Sequence, residues 1–165
     1  MNSALYFGNE IRNIIIDPTI LKEIKEEWDG VRLFQSKIQR HLNATGGILG
    51  GGSTHDLRNI SHNLTLLFAF SVLERTLKQL KREGVFSAKS NGLENLMQGS
   101  KSKSPWQDYI LVNKARVDRN KVAHCKKTLE RGECWKYIDA IEAELKMWKI
   151  VSKPKVFSHL IRPEI

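Results

Sequence analysis

Cysteine is nearly absent from the sequence: Cys125 and Cys134 are the only two in 165 residues, too few for a disulfide scaffold and in keeping with a reduced compartment. They also argue against a structural zinc site, which needs four ligands with tighter pairing such as C-x2-C, so no metal and no cofactor are expected. Long apolar runs are missing as well. The most apolar stretch, LTLLFAFSVL at 64–73, is far shorter than the roughly 20 residues a spanning helix needs, which predicts a soluble chain with no membrane partner. The opening MNSALYFGNEIRNIIID has no cationic segment leading into a long apolar one, so it does not read as an export signal; a cytoplasmic location is the expectation. The Asn-x-Ser/Thr triplets at Asn43, Asn59 and Asn63 then carry no glycosylation meaning. Acidic residues are in deficit too, with 18 Asp and Glu against 27 Lys and Arg, a formal charge of +9. Such a field attracts polyanions, nucleic acid foremost.

What is present is helical pattern throughout, with no segment that reads as strand and no internal repeat. Asp17-Pro18 opens a helix expected over about 18–43, because Asp accepts the orphan amides and Pro fits the first turn. Leu21, Ile24, Trp28, Val31, Gln35, Ile38 and Leu42 follow at spacings of three and four, on one face. A glycine-rich linker over 45–53 interrupts it. It lacks the Gly-Lys-Ser/Thr ending of a phosphate-binding loop. A second helix, about 54–83, carries two stripes: Leu57, Ile60, Leu64 and Leu67, and beside them Leu66, Phe70, Leu73, Leu77 and Leu80. So wide a band predicts a central helix with neighbours on two sides. Glu74 on this helix is expected to pair with a basic neighbour such as Lys78.

Residues 84–104 form an insert with one short helix, GLENLMQ at 92–98. Ser104-Pro105 then opens a third long helix over about 105–124, on which Trp106, Ile110, Asn113, Val117, Asn120 and His124 step by four and three in what reads as an inward seam. The last helix, about 132–151, places Trp135, Ile138, Ile141, Leu145 and Trp148 on one seam, and a C-terminal tail follows. The economical architecture is all-α: an up-down antiparallel four-helix bundle with a short extra helix in the insert, in one domain.

The stretch RVDRNKVAH at 116–124 is unusual on such a seam. Buried polar side chains need partners, so this helix end is either open to solvent or a site. On an ideal helix Arg119 lies about 140° from His124, and their convergence requires an unwound helix end or a second subunit. A histidine with an ordinary pKa near 6.5 can take or give a proton, and a guanidinium fork can stabilise developing negative charge.

RNKVAH, with Arg119, Asn120 and His124, resembles the Arg-x4-6-His motif of the HEPN superfamily (higher eukaryotes and prokaryotes nucleotide-binding domains), and the resemblance extends over about 54–151. It implies a metal-independent endoribonuclease of toxin or defence type, acting as a homodimer with the two motifs facing each other. His124 is then the acid/base, Arg119 stabilises the phosphoryl charge, and Asn120 orients the imidazole or contacts RNA. Attack by the ribose 2′-hydroxyl predicts RNA cleavage without DNA cleavage and 2′,3′-cyclic phosphate ends. An antitoxin partner of the minimal nucleotidyltransferase kind belongs to the same picture. Residues 101–136 hold ten Lys and Arg against four Asp and Glu, and Arg116, Lys121, Lys126 and Lys127 are the expected RNA contacts, with salt-sensitive binding. Arg58 and His62, at the start of the second helix, are candidates to approach His124 from across the bundle. The competing reading is a non-catalytic HEPN-like module that binds RNA, nucleotide or a partner protein, with Arg119 and His124 as a solvated basic helix end favoured by the helix dipole.

Overall fold

A computed structural model describes residues 15–45, 51–124 and 127–152, with backbone alone at 42–45 and 51–58. Residues 46–50 of the glycine linker, Cys125, Lys126 and the tail from residue 153 lie outside the described residues. The described residues include five helices: α1 Pro18–Thr45, α2 Gly51–Arg82, α3 Leu93–Ser100, α4 Tyr109–Ala123 and α5 Arg131–Met147. The architecture is an all-helical bundle, and the described residues include no strand.

α2 is central, touching each of the other four helices. Its stripe Leu66, Phe70, Leu73, Leu77 and Leu80 is completely buried, and each such side chain contributes roughly 1.5–3 kcal/mol by leaving water. Its second stripe departs from expectation, since Ile60 and Leu64 stand about half exposed: neighbouring helices cover only one side of that band. Glu74 does pair with Lys78, at 2.6 Å. Gly84 ends the helix in the left-handed region, at φ 78°, where a residue without Cβ is favoured.

The start of α1 meets the end of α2. Asp17 caps α1, its Oδ1 accepting from the Thr19 and Ile20 amides, while the Ile16 and Asp17 amides donate to Glu83 beyond the far end of α2. Ile24, Trp28 and Val31 enter the core as their spacing requires. Arg75 of α2 reaches Glu23 and Glu27 of α1. Between α1 and α5, Glu142 accepts from Trp28 Nε1, Arg32 Nε and Lys146 Nζ. Burial opposes ionisation of Glu142, but these donors outweigh it and hold its pKa down at about 2.

α3 packs Leu93, Leu96 and Met97 inward against α2. It lies so close to the preceding loop that a Cβ on Gly99 would fall onto the Ser87 carbonyl. α4 begins at Tyr109, four residues after the start expected from Ser104-Pro105. Its position is set by acceptors rather than by proline. Asp108 Oδ1 takes the Leu111 amide at 2.9 Å, and the fully buried Glu144 of α5 takes the Gln107 and Asp108 amides at 2.7 Å each. Trp106 precedes the helix and stacks edge-on against Trp148 and Tyr109.

That shifted start puts the seam counted from Trp106 out of phase with the core. The inward residues of α4 are Val112 and Ala115, with Arg116 and Asp118 beside them. Ile110 is 82% exposed, Val117 is exposed and so is His124. Of the expected inward seam, Ile110, Val117 and His124 face outward, and Asn113 and Asn120 are half-buried.

Candidate functional site

The segment 116–124 is the last two turns of α4, and α4 ends at Ala123 with His124 as its cap residue, φ −96° and ψ 16°. The His124 amide remains bonded to the Asn120 carbonyl at 3.1 Å, so the helix is intact up to the imidazole, which projects from an exposed position. Arg119 is half-buried on the other side. Its Nη1 donates to Asn120 Oδ1 at 3.1 Å, and its buried Nε meets no acceptor among the described residues. No carboxylate among them neutralises this guanidinium. Nor does any hydrogen bond join Arg119 to His124 within the described residues, in keeping with the angular separation of the two on a regular helix.

The surrounding candidates divide sharply. Arg116 is only 8% exposed; its Nε donates to Asn113 and its Nη2 pairs with Glu94 of α3 at 3.5 Å, so it ties α4 to the insert. Lys121 and Lys127 stay open to solvent on either side of Asp118, at 3.8 and 3.5 Å from its Oδ1. Lys126 and the Arg58 side chain lie outside the described residues. His62 is buried, its ring edge-on to Trp135 of α5 at 6.0 Å, in the interior rather than on the surface that carries His124.

Three residues not singled out from the sequence shape this end of the bundle. Asn63 clamps the segment after the motif: its Nδ2 donates to the Leu129 carbonyl at 2.8 Å and its Oδ1 accepts from the Leu129 amide at 3.0 Å. Asp118, nearly buried, accepts from Tyr137 Oη at 2.7 Å. Burial works against its charge, but that hydrogen bond and Lys127, Lys114 and Lys121 prevail and lower its pKa. The Lys114–Asp118–Lys121 spacing was visible as helical i,i+4 and i,i+3 pairing, whereas nothing local marks Asn63 or Tyr137, whose partners lie on other elements.

Beside the motif, Ile60, Asn63, Leu64, Leu67, Val122, Ala123, Lys127 and Thr128 line a mostly apolar groove of about 340 Å³ between α2 and the end of α4. Cys134 is buried, and burial pushes its thiol up to about 12, which keeps it protonated and unreactive. Among the described residues, no cluster of His, Cys, Asp and Glu has the makings of a metal site, and no helix is long and apolar enough to cross a membrane. No family model matches the sequence, and comparison with curated proteins and with solved structures gives no match either.

Proposed function

We propose that this protein is a HEPN-type, metal-independent endoribonuclease of the cytoplasm, acting as a homodimer, with Arg119 and His124 as the reacting pair and Asn120 as their positioning partner. The observation that carries the reading is the state of Arg119: a half-buried guanidinium at a helix end, held by Asn120 and matched by no carboxylate among the described residues. A half-buried charge whose Nε is shut away from water gains from an anion that completes it, and a phosphodiester is an anion that its fork geometry fits. His124, exposed five residues later, is free to exchange protons with a ribose hydroxyl or a leaving 5′-oxygen.

The two groups face apart on one helix, so a productive site takes Arg119 and His124 from different copies or a local rearrangement on RNA binding. The exposed stripe Ile60, Leu64 and Phe68, spaced by four on α2 next to the motif end, supports the first route, because an apolar surface of this kind favours association. Toxin or defence roles, and an antitoxin that masks the same surface, belong to this reading. The test uses an RNA oligonucleotide, its all-DNA counterpart and the same RNA with one 2′-deoxy residue at the cleaved position. The proposal expects cleavage of the first alone; equal cleavage of the DNA defeats it, since the nucleophile would then be something other than the 2′-hydroxyl.

A second reading, a non-catalytic RNA-binding or partner-binding module, draws support from Arg116, whose engagement with Glu94 and Asn113 removes one cation from the proposed RNA surface. Tight RNA binding with no cleavage of any RNA by folded protein favours it.

A further inference from the structure

Three lysines from two elements converge on one carboxylate. Lys114 and Lys121 come from α4 and Lys127 from the segment that follows it, and their Nζ atoms stand 3.6, 3.8 and 3.5 Å from Asp118 oxygens. Each lysine keeps a large share of its side chain in solvent, while the Asp118 side chain is only 9% exposed. Three ammonium groups therefore surround a carboxylate that lies beneath them and neutralises one charge. Tyr137 organises the floor of this arrangement: its hydroxyl accepts from Lys114 Nζ at 2.7 Å and donates to Asp118 Oδ2 at 2.7 Å.

Like charges brought this close repel, and one buried carboxylate compensates them only in part. An external anion that meets several of the ammonium groups at once completes the balance. The separations, all within 4 Å of one carboxylate, suit a compact oxyanion. We infer that Lys114, Lys121 and Lys127, gathered over Asp118, form a binding site for the phosphodiester backbone of RNA, with Asp118 and Tyr137 as positioning residues. The inference rests on the reading of RNA as ligand and adds the surface that holds it; Lys114, which no motif marks, is its new member. The site reads phosphate rather than base or sugar, so it sets affinity and salt dependence but not sequence preference.

The test is fluorescence anisotropy with a labelled 2′-O-methyl RNA 12-mer, which offers no 2′-hydroxyl to cleave, titrated across a salt series. Wild type is compared with a Lys114→Ala/Lys121→Ala/Lys127→Ala variant, with its Lys→Arg counterpart and with Tyr137→Phe. These lysines are solvent-facing and outside the apolar core, and Tyr137 still donates to Asp118 when they are replaced. The slope of log affinity against log salt is expected to become shallower by about 0.7 in the triple alanine variant, the value for one phosphate contact on a single strand, and to recover in the arginine variant. Tyr137→Phe is expected to reduce the slope in the same direction as Lys114→Ala alone. DNA of the same sequence is expected to bind with the wild-type slope.

An unchanged slope in the triple alanine variant overturns the site, as does absence of binding by wild type. Competition by poly-glutamate equal to that of the oligonucleotide overturns it as well, showing a general acidic-partner surface. Lysine-dependent binding without cleavage of ordinary RNA leaves the site standing and removes only the ribonuclease reading, while cleavage with lysine-independent binding does the reverse.

Discussion

The two ends of α4 are built on opposite terms. At its start, three amides are taken by side-chain acceptors: Asp108 caps Leu111 and Glu144 takes Gln107 and Asp108, while Trp106 is boxed by Trp148 and Tyr109. At its finish, Arg119 keeps a buried Nε without an acceptor among the described residues, and His124 stands in solvent. The clamps at that end, Asn63 on Leu129 and Tyr137 on Asp118, hold the backbone and the carboxylate and leave the motif side chains open. A closed end anchors the helix, and the open end is where binding energy remains to be gained.

The largest effect is expected at the open end. His124→Ala and Arg119→Ala should each lower RNA cleavage by roughly 10²–10⁴-fold, the range for an acid/base or charge-stabilising group, while urea unfolding moves little because neither side chain fills the core. The closed end should respond in the reverse sense. Glu144→Ala strands two inward-facing amides and is expected to cost about 4 kcal/mol in urea unfolding, at 1–3 kcal/mol for each unsatisfied group, with a melting transition to match.

Next in size is the α1–α5 contact. Glu142 has its pKa depressed from 4.5 to about 2, so the stability it contributes is present above pH 4.5 and is lost as pH falls toward 2, on the order of 3 kcal/mol in full. Glu142→Gln should lower stability at pH 7 and flatten the acid limb of a stability–pH profile across that window. The smallest change in stability is expected from Leu64→Ser, less than about 0.5 kcal/mol for a surface position. In sedimentation it should nonetheless shift a dimer toward monomer, which sharpens the contrast between anchoring and interface residues.

Much of this frame was legible in advance, because helix-forming periodicity and caps are local signals: Asp17-Pro18 began α1 as expected, and the stripe from Leu66 to Leu80 is buried in full. What was not legible depended on contacts distant in sequence. Glu144, 36 residues from Asp108, sets where α4 starts, and that offset turned Ile110 and Val117 outward against expectation. The band on α2 looked uniformly core because hydrophobicity does not say how many neighbours arrive, so Ile60 and Leu64 read the same as Leu66. Within the candidate site, Arg119, Asn120 and His124 were marked by their polarity beside an apolar seam and by the resemblance of RNKVAH to the Arg-x4-6-His motif. Asp118 passed unremarked although its i,i+4 and i,i+3 spacing to Lys114 and Lys121 is a local pattern, and the Asn63–Leu129 and Tyr137–Asp118 bonds leave no trace in a linear pattern.

The most direct measurement is cleavage of single-stranded and structured RNAs by the wild-type protein in excess EDTA, with chemical analysis of the new 3′ ends. The account predicts cleavage that persists in EDTA and leaves 2′,3′-cyclic phosphate. Well-folded protein that cuts none of these RNAs, or that cuts only with added divalent metal and leaves 3′-hydroxyl ends, would contradict it.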